Sequence, residues 1–384
     1  MKVAIVHDYI KEYGGAEGVL EALHEAFPKA PIYTLVYLPR FLGPHKEKFK
    51  EMDIRPSYLQ HLPFKAKLIS PIRLIAPRVF KSFNFSRYDV VIVSATGAFT
   101  PNVIKKKKAV QICYCHTPPR YLYGFATARE WKKNPVMRIC GEIANHFLRI
   151  TDFNSSKNVD FFIANSHNVA KRIEKFYRRK SDVIYPPVNV NSKFEALNSK
   201  QILNPKYEIF NTQYYLTGGR LARPKHTDLV VKTFTKLNLP LKVFGKTFAG
   251  YGEELREFAG ANVEFLGEVT DEEKLRLMAG ASAFVFASED EDFGITPVEA
   301  LAVGTPVIAH RSGGVIESVI EGKTGLFFDE LTTESLEKAI SKLDKLRINP
   351  QDCMKQAQKF SKERFKREIS DFVKSKIKNQ KSKL

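Results

Sequence analysis

The chain has 384 residues, of which 43% are hydrophobic, so it is long enough for two domains with buried cores, and its composition excludes a disordered protein. Its net charge is +19, but residues 1–150 carry 24 lysines and arginines against 11 acidic residues (+13), whereas residues 251–350 carry 9 against 20 (−11). This asymmetry indicates an anionic partner for the basic half, and nucleic acid, anionic lipid and phosphorylated substrates all qualify.

Short apolar runs alternate with helical stretches along the chain. The first run, Val3–Val6, gives the N-terminus the pattern of a strand rather than of a signal peptide, and no run approaches the roughly 18 residues of a membrane-spanning helix. We therefore expect a cytoplasmic protein. The other predicted strands are Ile32–Val36, Val90–Val93, Val110–Tyr114, Phe161–Ala164, Val183–Tyr185, Tyr214–Thr217, Leu241–Phe244, Val263–Leu266, Ala283–Phe286, Pro306–Ala309 and Gly325–Phe328.

Most of these runs are apolar throughout, which is typical of parallel strands covered on both faces. Because strand and helix alternate twice over, we predict two doubly wound α/β domains. The first spans residues 1–188 and the second spans 189–350, with a linker-like stretch at 189–211 and a long polar helix over Gln351–Ile377. The four cysteines fit neither a zinc site nor a redox pair, so we expect reduced core thiols.

The most informative motif runs from Ser288 to Ala300, between the strand Ala283–Phe286 and a helix predicted over Pro297–Val303. In doubly wound sheets ligands bind at the carboxyl ends of strands, beside helix N-termini that attract phosphates. A capping box of Thr296 and Glu299 would explain Glu299 structurally. It would not explain Glu291, so we predict a functional site here.

Two further motifs follow strands. The run Thr217–Lys225 contains a Gly-Gly turn, Arg220 and Lys225, which together suit a diphosphate, although a solvated basic turn is the alternative. His116 ends the strand Val110–Tyr114 and is a candidate for a cleft between the domains. The turn at Gly14-Gly15 is not a dinucleotide fingerprint, which argues against an NAD enzyme.

Together these motifs resemble glycosyltransferase family 4, a group of retaining enzymes with the GT-B fold. The family's pattern of two glutamates separated by seven residues matches Glu291 and Glu299. Further matches are Gly14-Gly15, His116, Phe162–Ser166, Tyr185–Val188, Gly219-Arg220 with Lys225, Gly304–Ala309 and Gly313-Gly314. The segments Tyr114–Arg120 and Asp292–Glu299 are similar to mannosyltransferase-like members that build bacterial surface polysaccharides.

The resemblance implies an α/β fold of two Rossmann-like domains facing across a cleft, with a terminal segment, 351–384, that crosses back to the N-terminal domain. It implies that Glu299 holds the ribose, Glu291 the transferred sugar, and Arg220 with Lys225 the diphosphate. Backbone groups of Phe293, Gly294 and Ile295 would line the donor, Gly15 would approach the phosphate, and His116 would touch the sugar.

By the same resemblance the donor is a nucleotide sugar, with GDP-mannose expected first and a UDP-hexose as the alternative, and the acceptor is lipid-linked or an oligosaccharide. Because Arg220, Lys225 and helix amides are placed to neutralise the leaving diphosphate, we expect no metal and no other cofactor. The acidic run Glu289–Asp292 as a metal site is the alternative. A sugar-nucleotide epimerase or hydrolase on the same fold is the competing enzyme class.

The stretch Ile54–Tyr88 has seven lysines and arginines, no acidic residue and many interleaved apolar side chains. Its four prolines forbid one long helix, so we predict short amphipathic helices that dock on an anionic membrane surface. The expected location is therefore the inner face of the cell membrane, with a solvated basic face as the alternative. We expect no nucleic-acid partner, because no basic helix, zinc module or aromatic-basic sheet pattern appears.

Overall fold

The structure is a computed structural model, and it describes residues 1–127, 134–189, 214–248 and 250–381. The described chain divides into two compact units. Unit 1 contains residues 1–126, 134–187 and 362–381, and unit 2 contains Thr127 and residues 188–189, 214–248 and 250–361. The predicted boundary after residue 188 thus lies one residue beyond Pro187, where the second segment of unit 1 ends. The predicted linker at 189–211 lies outside the described residues apart from Asn189.

Unit 1 is built on a parallel sheet of seven strands in the order β3-β2-β1-β4-β5-β6-β7. The strands are β1 (Val3–His7), β2 (Ile32–Thr34), β3 (Ile54–Pro56), β4 (Val90–Ala95), β5 (Val110–Cys115), β6 (Phe161–Ala164) and β7 (Ser181–Val183). The helices are α1 (Gly15–Ala26), α2 (Ile69–Ile72), α3 (Ala76–Ser82), α4 (Pro135–Ser156) and α5 (His167–Tyr177), joined by a helix from the C-terminus of the chain.

Unit 2 is built on a parallel sheet of six strands in the order β10-β9-β8-β11-β12-β13. The strands are β8 (Tyr215–Gly218), β9 (Leu241–Phe244), β10 (Val263–Gly267), β11 (Phe284–Phe286), β12 (Val307–His310) and β13 (Gly325–Phe328). The helices are α6 (Thr227–Leu237), α7 (Tyr251–Glu257), α8 (Asp271–Ala279), α9 (Ile295–Ala302), α10 (Thr333–Asp344) and α11 (Pro350–Gln358).

Both sheets are buried on two faces, as the continuous apolar strands predict. In β1, for example, Ala4 and Val6 belong to one core cluster of unit 1, whereas Val3 and Ile5 belong to the other. This alternation follows from the two-residue period of a strand. The sheet orders confirm the predicted pair of doubly wound domains. In each sheet the chain winds outward over its first three strands and then returns past the first one, so the topological switch point lies between β1 and β4 in unit 1 and between β8 and β11 in unit 2.

The C-terminal segment differs from the prediction of one long helix over Gln351–Ile377. The structure has two helices, α11 and α12 (Lys362–Lys381), separated at Lys359–Ser361. Only α12 belongs to unit 1, so residues 351–361 stay with unit 2 and the segment that crosses back begins at Lys362. The break coincides with a tertiary contact, because Phe360 is buried against Phe293 of unit 2, with 5.3 Å between the ring centroids.

Two other expectations need correction. The stretch that begins at Ile54 opens with the edge strand β3 before the short helices α2 and α3, because its first residues pair with β2. Cys113, Cys115 and Cys353 are buried as predicted, but Cys140 is exposed on α4. Within the part of the chain that the structure describes, no helix is both long and apolar enough to cross a membrane.

Candidate active site

The predicted donor residues of unit 2 lie at its topological switch point, where β8 and β11 are neighbours in the sheet. The turn after β8 carries Arg220, whose side chain is exposed, and the loop after β11 carries the acidic run. The turn passes close to the end of β9, since a Cβ on Gly245 would lie 1.8 Å from the carbonyl oxygen of Gly219. The glycines therefore serve close backbone approach at this edge.

Lys225 and Glu291 form a direct ion pair, although 66 residues separate them in the chain. Lys225 ends a short 3₁₀ turn, and the backbone N–H of Glu289 donates to the carbonyl oxygen of Pro224 at 3.0 Å, which ties the turn to the acidic loop. The Ser288 hydroxyl also donates to Glu291, at 2.8 Å. The structure thus brings together the cation predicted for the diphosphate and the carboxylate predicted for the sugar.

The acidic loop is held in place by the two glycines that follow β12. The backbone N–H of Gly314 donates to the carbonyl oxygen of Glu291 at 2.7 Å. Gly313 has a φ of +72°, and a Cβ at this residue would lie 2.3 Å from the same carbonyl oxygen. Only glycine fits there without moving the loop. The position of Glu291 is therefore set by a chain segment 22 residues further on.

Helix α9 starts earlier than predicted, and the predicted capping box is wrong. Gly294 is the N-cap, with a left-handed φ of +89°, so Thr296 and Glu299 lie inside the helix. Phe293 is buried, and Ile295 is the first helical residue. The helix begins directly after the loop that follows β11, so its first N–H groups lie near the switch-point edge, a position that suits an anionic ligand. Because the N-cap is a glycine in the left-handed conformation, the helix begins without a side-chain cap.

Glu299 is instead committed to a half-buried ion pair with Lys274 of α8, at 2.7 Å. Burial opposes the charge of Lys274, but Glu299 and Asp271 outweigh it and raise the pKa of the ammonium group. Sequence reasoning missed Lys274, and no local signal marked it, since it is one of many lysines on an amphipathic helix. Glu299 can still accept a ligand hydroxyl through its remaining oxygen.

Other side chains of the two motifs have structural partners. Arg223 binds Glu254 of α7 with both terminal nitrogens, so it holds the turn rather than offering its guanidinium to a ligand. His226 lies 3.3 Å from Glu289. Among the residues that the structure describes, no three histidine, cysteine or acidic side chains are grouped to hold a metal ion. Two members of the acidic run, Glu291 and Glu289, are paired with Lys225 and His226.

The predicted residues of unit 1 lie at the carboxyl ends of its central strands. Gly15 is the first residue of α1, whose N-cap is Gly14, and the backbone N–H of Gly14 donates to Glu17 at 3.0 Å. The Glu17 carboxylate also lies 3.9 Å from His7. The turn after β1 is therefore braced by an acidic side chain that sequence reasoning did not single out.

His116 belongs to a buried hydrogen-bonded chain that crosses three strands. Its Nε2 lies 2.9 Å from the Ser94 hydroxyl, and the same hydroxyl lies 3.0 Å from Nδ1 of His7. Burial, together with the nearby His7, lowers the pKa of His116 to about 3. The imidazole is consequently neutral near pH 7 and acts through hydrogen bonds. Sequence reasoning missed His7 and Ser94, although both lie at strand ends in the printed pattern.

A buried carboxylate, Asp8, follows β1 and was also missed. Its Oδ2 accepts hydrogen bonds from the Thr96 backbone N–H, at 3.0 Å, and from the Thr96 hydroxyl, at 2.5 Å. Burial outweighs these bonds and raises the pKa of Asp8. A second buried carboxylate, Asp152 of α4, accepts from the hydroxyls of Tyr123 and Tyr177, and burial raises its pKa to about 7. Unit 1 therefore contains two buried carboxyl groups with a raised pKa, one directly after β1 and one on α4.

Comparisons with known proteins agree with this geometry. The family model described as Glycosyltransferase Family 4 matches residues 13–192, and that described as Glycosyl transferases group 1 matches residues 199–360. The alpha-1,3/1,6-mannosyltransferase ALG2 of Mus musculus is 25% identical over 341 residues, which cover 80% of this chain and 79% of the mouse protein. The mannosylfructose-phosphate synthase of Agrobacterium fabrum is 29% identical over 177 residues, 41% of this chain and 39% of that protein.

The crystal structure of Anabaena HepE in complex with UDP and glucose has a TM-score of 0.68 against this structure. It is 18% identical in sequence, and the match covers 98% of this chain and 100% of that one. At this identity the likeness concerns the fold. Two parallel-sheet Rossmann-like units, the matched family models and the ion-paired strand-end residues together show that the chain is a glycosyltransferase of family 4 with the GT-B fold.

Proposed function

We propose that the chain transfers a hexose with retention of configuration, mannose from GDP-mannose being the first choice, to a lipid-linked or polysaccharide acceptor in cell-surface glycan biosynthesis. The observation that carries this proposal is the ion pair of Lys225 and Glu291 beside Arg220 and the N-terminus of α9. The pair puts a cation and a carboxylate at the switch point. The cation suits the negatively charged diphosphate, and the carboxylate suits the hydroxyl groups of the sugar. The names of the mannosyltransferase relatives support mannose as the sugar.

In this proposal the leaving nucleoside diphosphate gathers negative charge as the glycosidic bond breaks. Arg220, Lys225 and the N–H groups at Phe293–Ile295 stabilise that charge. Lys225 exchanges part of its contact with Glu291 for the phosphate, which frees the carboxylate for sugar hydroxyls. Glu299 binds the ribose, Gly15 approaches the phosphate, and His116 donates or accepts a hydrogen bond to the sugar as a neutral imidazole.

Retention follows from attack by the acceptor on the face from which the diphosphate leaves, with the phosphate taking the acceptor proton. A double displacement would need an unengaged carboxylate beside the anomeric carbon. In this proposal Glu291 is committed to Ser288 and to the sugar hydroxyls, and Glu299 to Lys274 and the ribose, so neither is set up as a nucleophile. Analysis of the anomeric configuration of the product tests this step, and an inverted product would contradict it.

Donor identity is tested by thermal unfolding with GDP, UDP, ADP and their sugar conjugates. A ligand present at about 100 times its dissociation constant adds about 2.7 kcal/mol to the free energy of unfolding. We expect the largest shift from GDP-mannose. A larger shift from UDP and a UDP-hexose would replace the proposed donor with the alternative. Release of free sugar without any acceptor, at the rate of transfer, would favour a hydrolase.

We also propose that the transferase needs no divalent metal, because Arg220 and Lys225 are the groups proposed to neutralise the diphosphate. Activity is expected to persist in excess EDTA. Loss of activity in EDTA with recovery on addition of magnesium or manganese would contradict this proposal and would favour a metal at Glu289–Asp292.

Finally, we propose that unit 1 docks on the anionic inner face of the cell membrane. Residues 54–108 contain eleven lysines and arginines and one acidic residue, Asp89. Phe64, Leu74 and Ile75 are exposed in the same stretch, at 77%, 58% and 40%. Each cation near an anionic leaflet contributes about 1 kcal/mol. Replacement of Lys65, Lys67, Arg73 and Arg78 by Ser is expected to reduce co-sedimentation with anionic liposomes, whereas equal recovery with neutral liposomes would contradict docking by charge.

A further inference from the structure

Helix α4 presents a stripe of large apolar side chains to solvent. The stripe consists of Val136, Ile139, Ile143, Phe147 and Ile150, whose exposed fractions are 68%, 63%, 56%, 65% and 48%. Their spacing of three, four, four and three residues places them on one side of the helix. We call these five residues the α4 stripe.

The other side of α4 is anchored in unit 1. Asn145, Leu148 and Asp152 are buried, and Asp152 accepts hydrogen bonds from Tyr123 and Tyr177. This polar and partly apolar side accounts for the packing of the helix, so the α4 stripe is not needed to cover the core. An exposed row of five such side chains is larger than the scattered apolar residues of an ordinary surface, and it indicates a contact surface.

The α4 stripe lies over the same face of the sheet as the basic segment. Helices α3 and α4 both pack on the short turn Pro101–Val103, and α3, Tyr123 and Tyr177 share one core cluster. Helices α1 and α12 cover the opposite face, with Phe365 and Ile369 in the other cluster. The exposed apolar groups of α4 and the cations of residues 54–108 are therefore carried by elements on one side of unit 1.

We propose that the α4 stripe inserts into the interfacial layer of an anionic bilayer and anchors unit 1 there. This inference rests on the proposed membrane docking and names a second element for it. Among the described side chains of residues 134–150, the titratable ones are the exposed Arg138, Cys140 and His146 and the half-buried Glu142 and Arg149, so Glu142 is the one acidic residue beside the stripe, against two arginines and a histidine. An apolar row in a cationic setting complements a layer of anionic headgroups over acyl chains.

Charge also argues against a second copy of the chain as the partner that covers the α4 stripe. A two-fold dimer brings the same patch of both subunits together. Pairing through α4 would bring the cations of both copies towards each other, and like charges oppose such an approach. An anionic membrane attracts the same cations. The bilayer is thus the occupant that suits both the apolar and the charged groups.

The chain offers its own reporter for this test. Cys140 lies beside the α4 stripe and is exposed, whereas the other three cysteines are buried. A thiol-directed, environment-sensitive fluorophore on Cys140 is expected to shift to the blue on vesicles of phosphatidylglycerol and phosphatidylcholine, and to be quenched by lipids with a quencher in the acyl chain. A probe placed in unit 2 through Lys345→Cys on a Cys140→Ser background is expected to show neither change.

Vesicle co-sedimentation gives the energetic test. The triple variant Ile139→Ser, Ile143→Ser, Phe147→Ser is expected to bind at least about tenfold more weakly, because less apolar surface leaves water. The matched control is Phe258→Ser, Ile316→Ser, Leu346→Ser, which removes three exposed apolar side chains of unit 2 and is expected to bind as the unchanged protein does. Circular dichroism and nucleotide-induced thermal shift check that each variant is folded.

Three results would overturn the inference. Unchanged binding of the α4 triple variant, with an aqueous Cys140 probe, would leave charge docking intact and remove the α4 stripe from it. A protein that binds neither anionic nor neutral vesicles would overturn both proposals. A lipid-free dimer in sedimentation, converted to a monomer by the α4 triple variant, would assign the α4 stripe to self-association.

Discussion

At the scale of single residues, the sharpest prediction concerns Arg220 and Lys225, the two cations proposed to bind the diphosphate. Arg220→Ala and Lys225→Ala are each expected to lower kcat/KM by about ten- to a thousandfold, because each removes a charge-assisted contact that strengthens in the transition state. Arg223→Ala is the matched control on the same turn, since Arg223 is bound to Glu254. It is expected to affect stability more than transfer. Near-normal turnover of both test variants would remove the diphosphate assignment.

Glu299 and Lys274 allow binding to be separated from stability. Glu299→Ala is expected to lower the free energy of unfolding by about 1–3 kcal/mol, because it leaves the half-buried ammonium group of Lys274 without its main partner. It is also expected to weaken donor binding. The double variant Glu299→Ala, Lys274→Met is expected to regain stability but not donor affinity. Recovery of both would show that Glu299 serves the fold alone.

The buried imidazole of His116 predicts a dependence of stability on pH. Its pKa is lowered to about 3 in the folded chain from 6.5, so the unfolded state binds the extra proton first as pH falls. This contribution to stability is complete above about pH 6.5 and is lost on acidification towards the folded pKa. In His116→Gln the loss of unfolding free energy on acidification is expected to be smaller by at least about 1 kcal/mol near pH 4.

The measurement is the free energy of unfolding by urea near pH 4 and near pH 7.5 for both proteins. Asp8 and Asp152 have the opposite effect on the pH dependence of stability. Burial raises the pKa of each carboxyl group, so the stability that each contributes is lost as pH rises. Because both are unchanged in His116→Gln, they cancel in the difference between the two proteins. Parallel pH curves would contradict a depressed pKa of His116.

At the scale of elements, the loop after β12 controls the acidic loop after β11. Gly313→Ala is expected to displace Glu291 and lower transfer by about tenfold or more, because the new Cβ meets the backbone of Glu291. Gly322→Ala is the matched control, with a similar φ of +74° but open space around the new Cβ. Both variants carry the cost of a left-handed alanine, about 1–2 kcal/mol. Equal activity of the two would separate Gly313 from the site.

At the scale of the whole molecule, the chain ends in the unit where it began. Phe365, Ile369 and Val373 of α12 are fully buried in the core that α1 also covers, and Lys362 binds Glu21 and Glu25 of α1. Phe365→Ala is expected to destabilise unit 1 by about 3–5 kcal/mol, because it leaves a cavity. Calorimetry with and without nucleotide measures the melting of each unit. The exposed Lys374→Ala is the control, and equal effects would contradict this role of α12.

The sequence by itself determined the class of fold and the placement of the candidate site residues at strand ends. Apolar, β-branched runs followed by helices predict parallel sheets covered on both faces, because strand and helix periods are local properties of the chain. The positions of Arg220, Lys225, Glu291 and His116 at strand ends follow from the same pattern. The break at Phe360 and the glycine cap at Gly294 did not, because packing between distant segments overrode the local helix signals.

Only the tertiary structure decided which charges meet. Lys225 pairs with Glu291, Arg223 with Glu254 and Glu299 with Lys274, although 25 to 66 residues separate the partners. A sequence shows that such charges exist, but pairing depends on which strand ends and helix faces are neighbours in space. The same holds for the α4 stripe. Its periodicity is visible in the sequence, yet only the packed unit shows that this side of the helix, rather than the other, is left in contact with water.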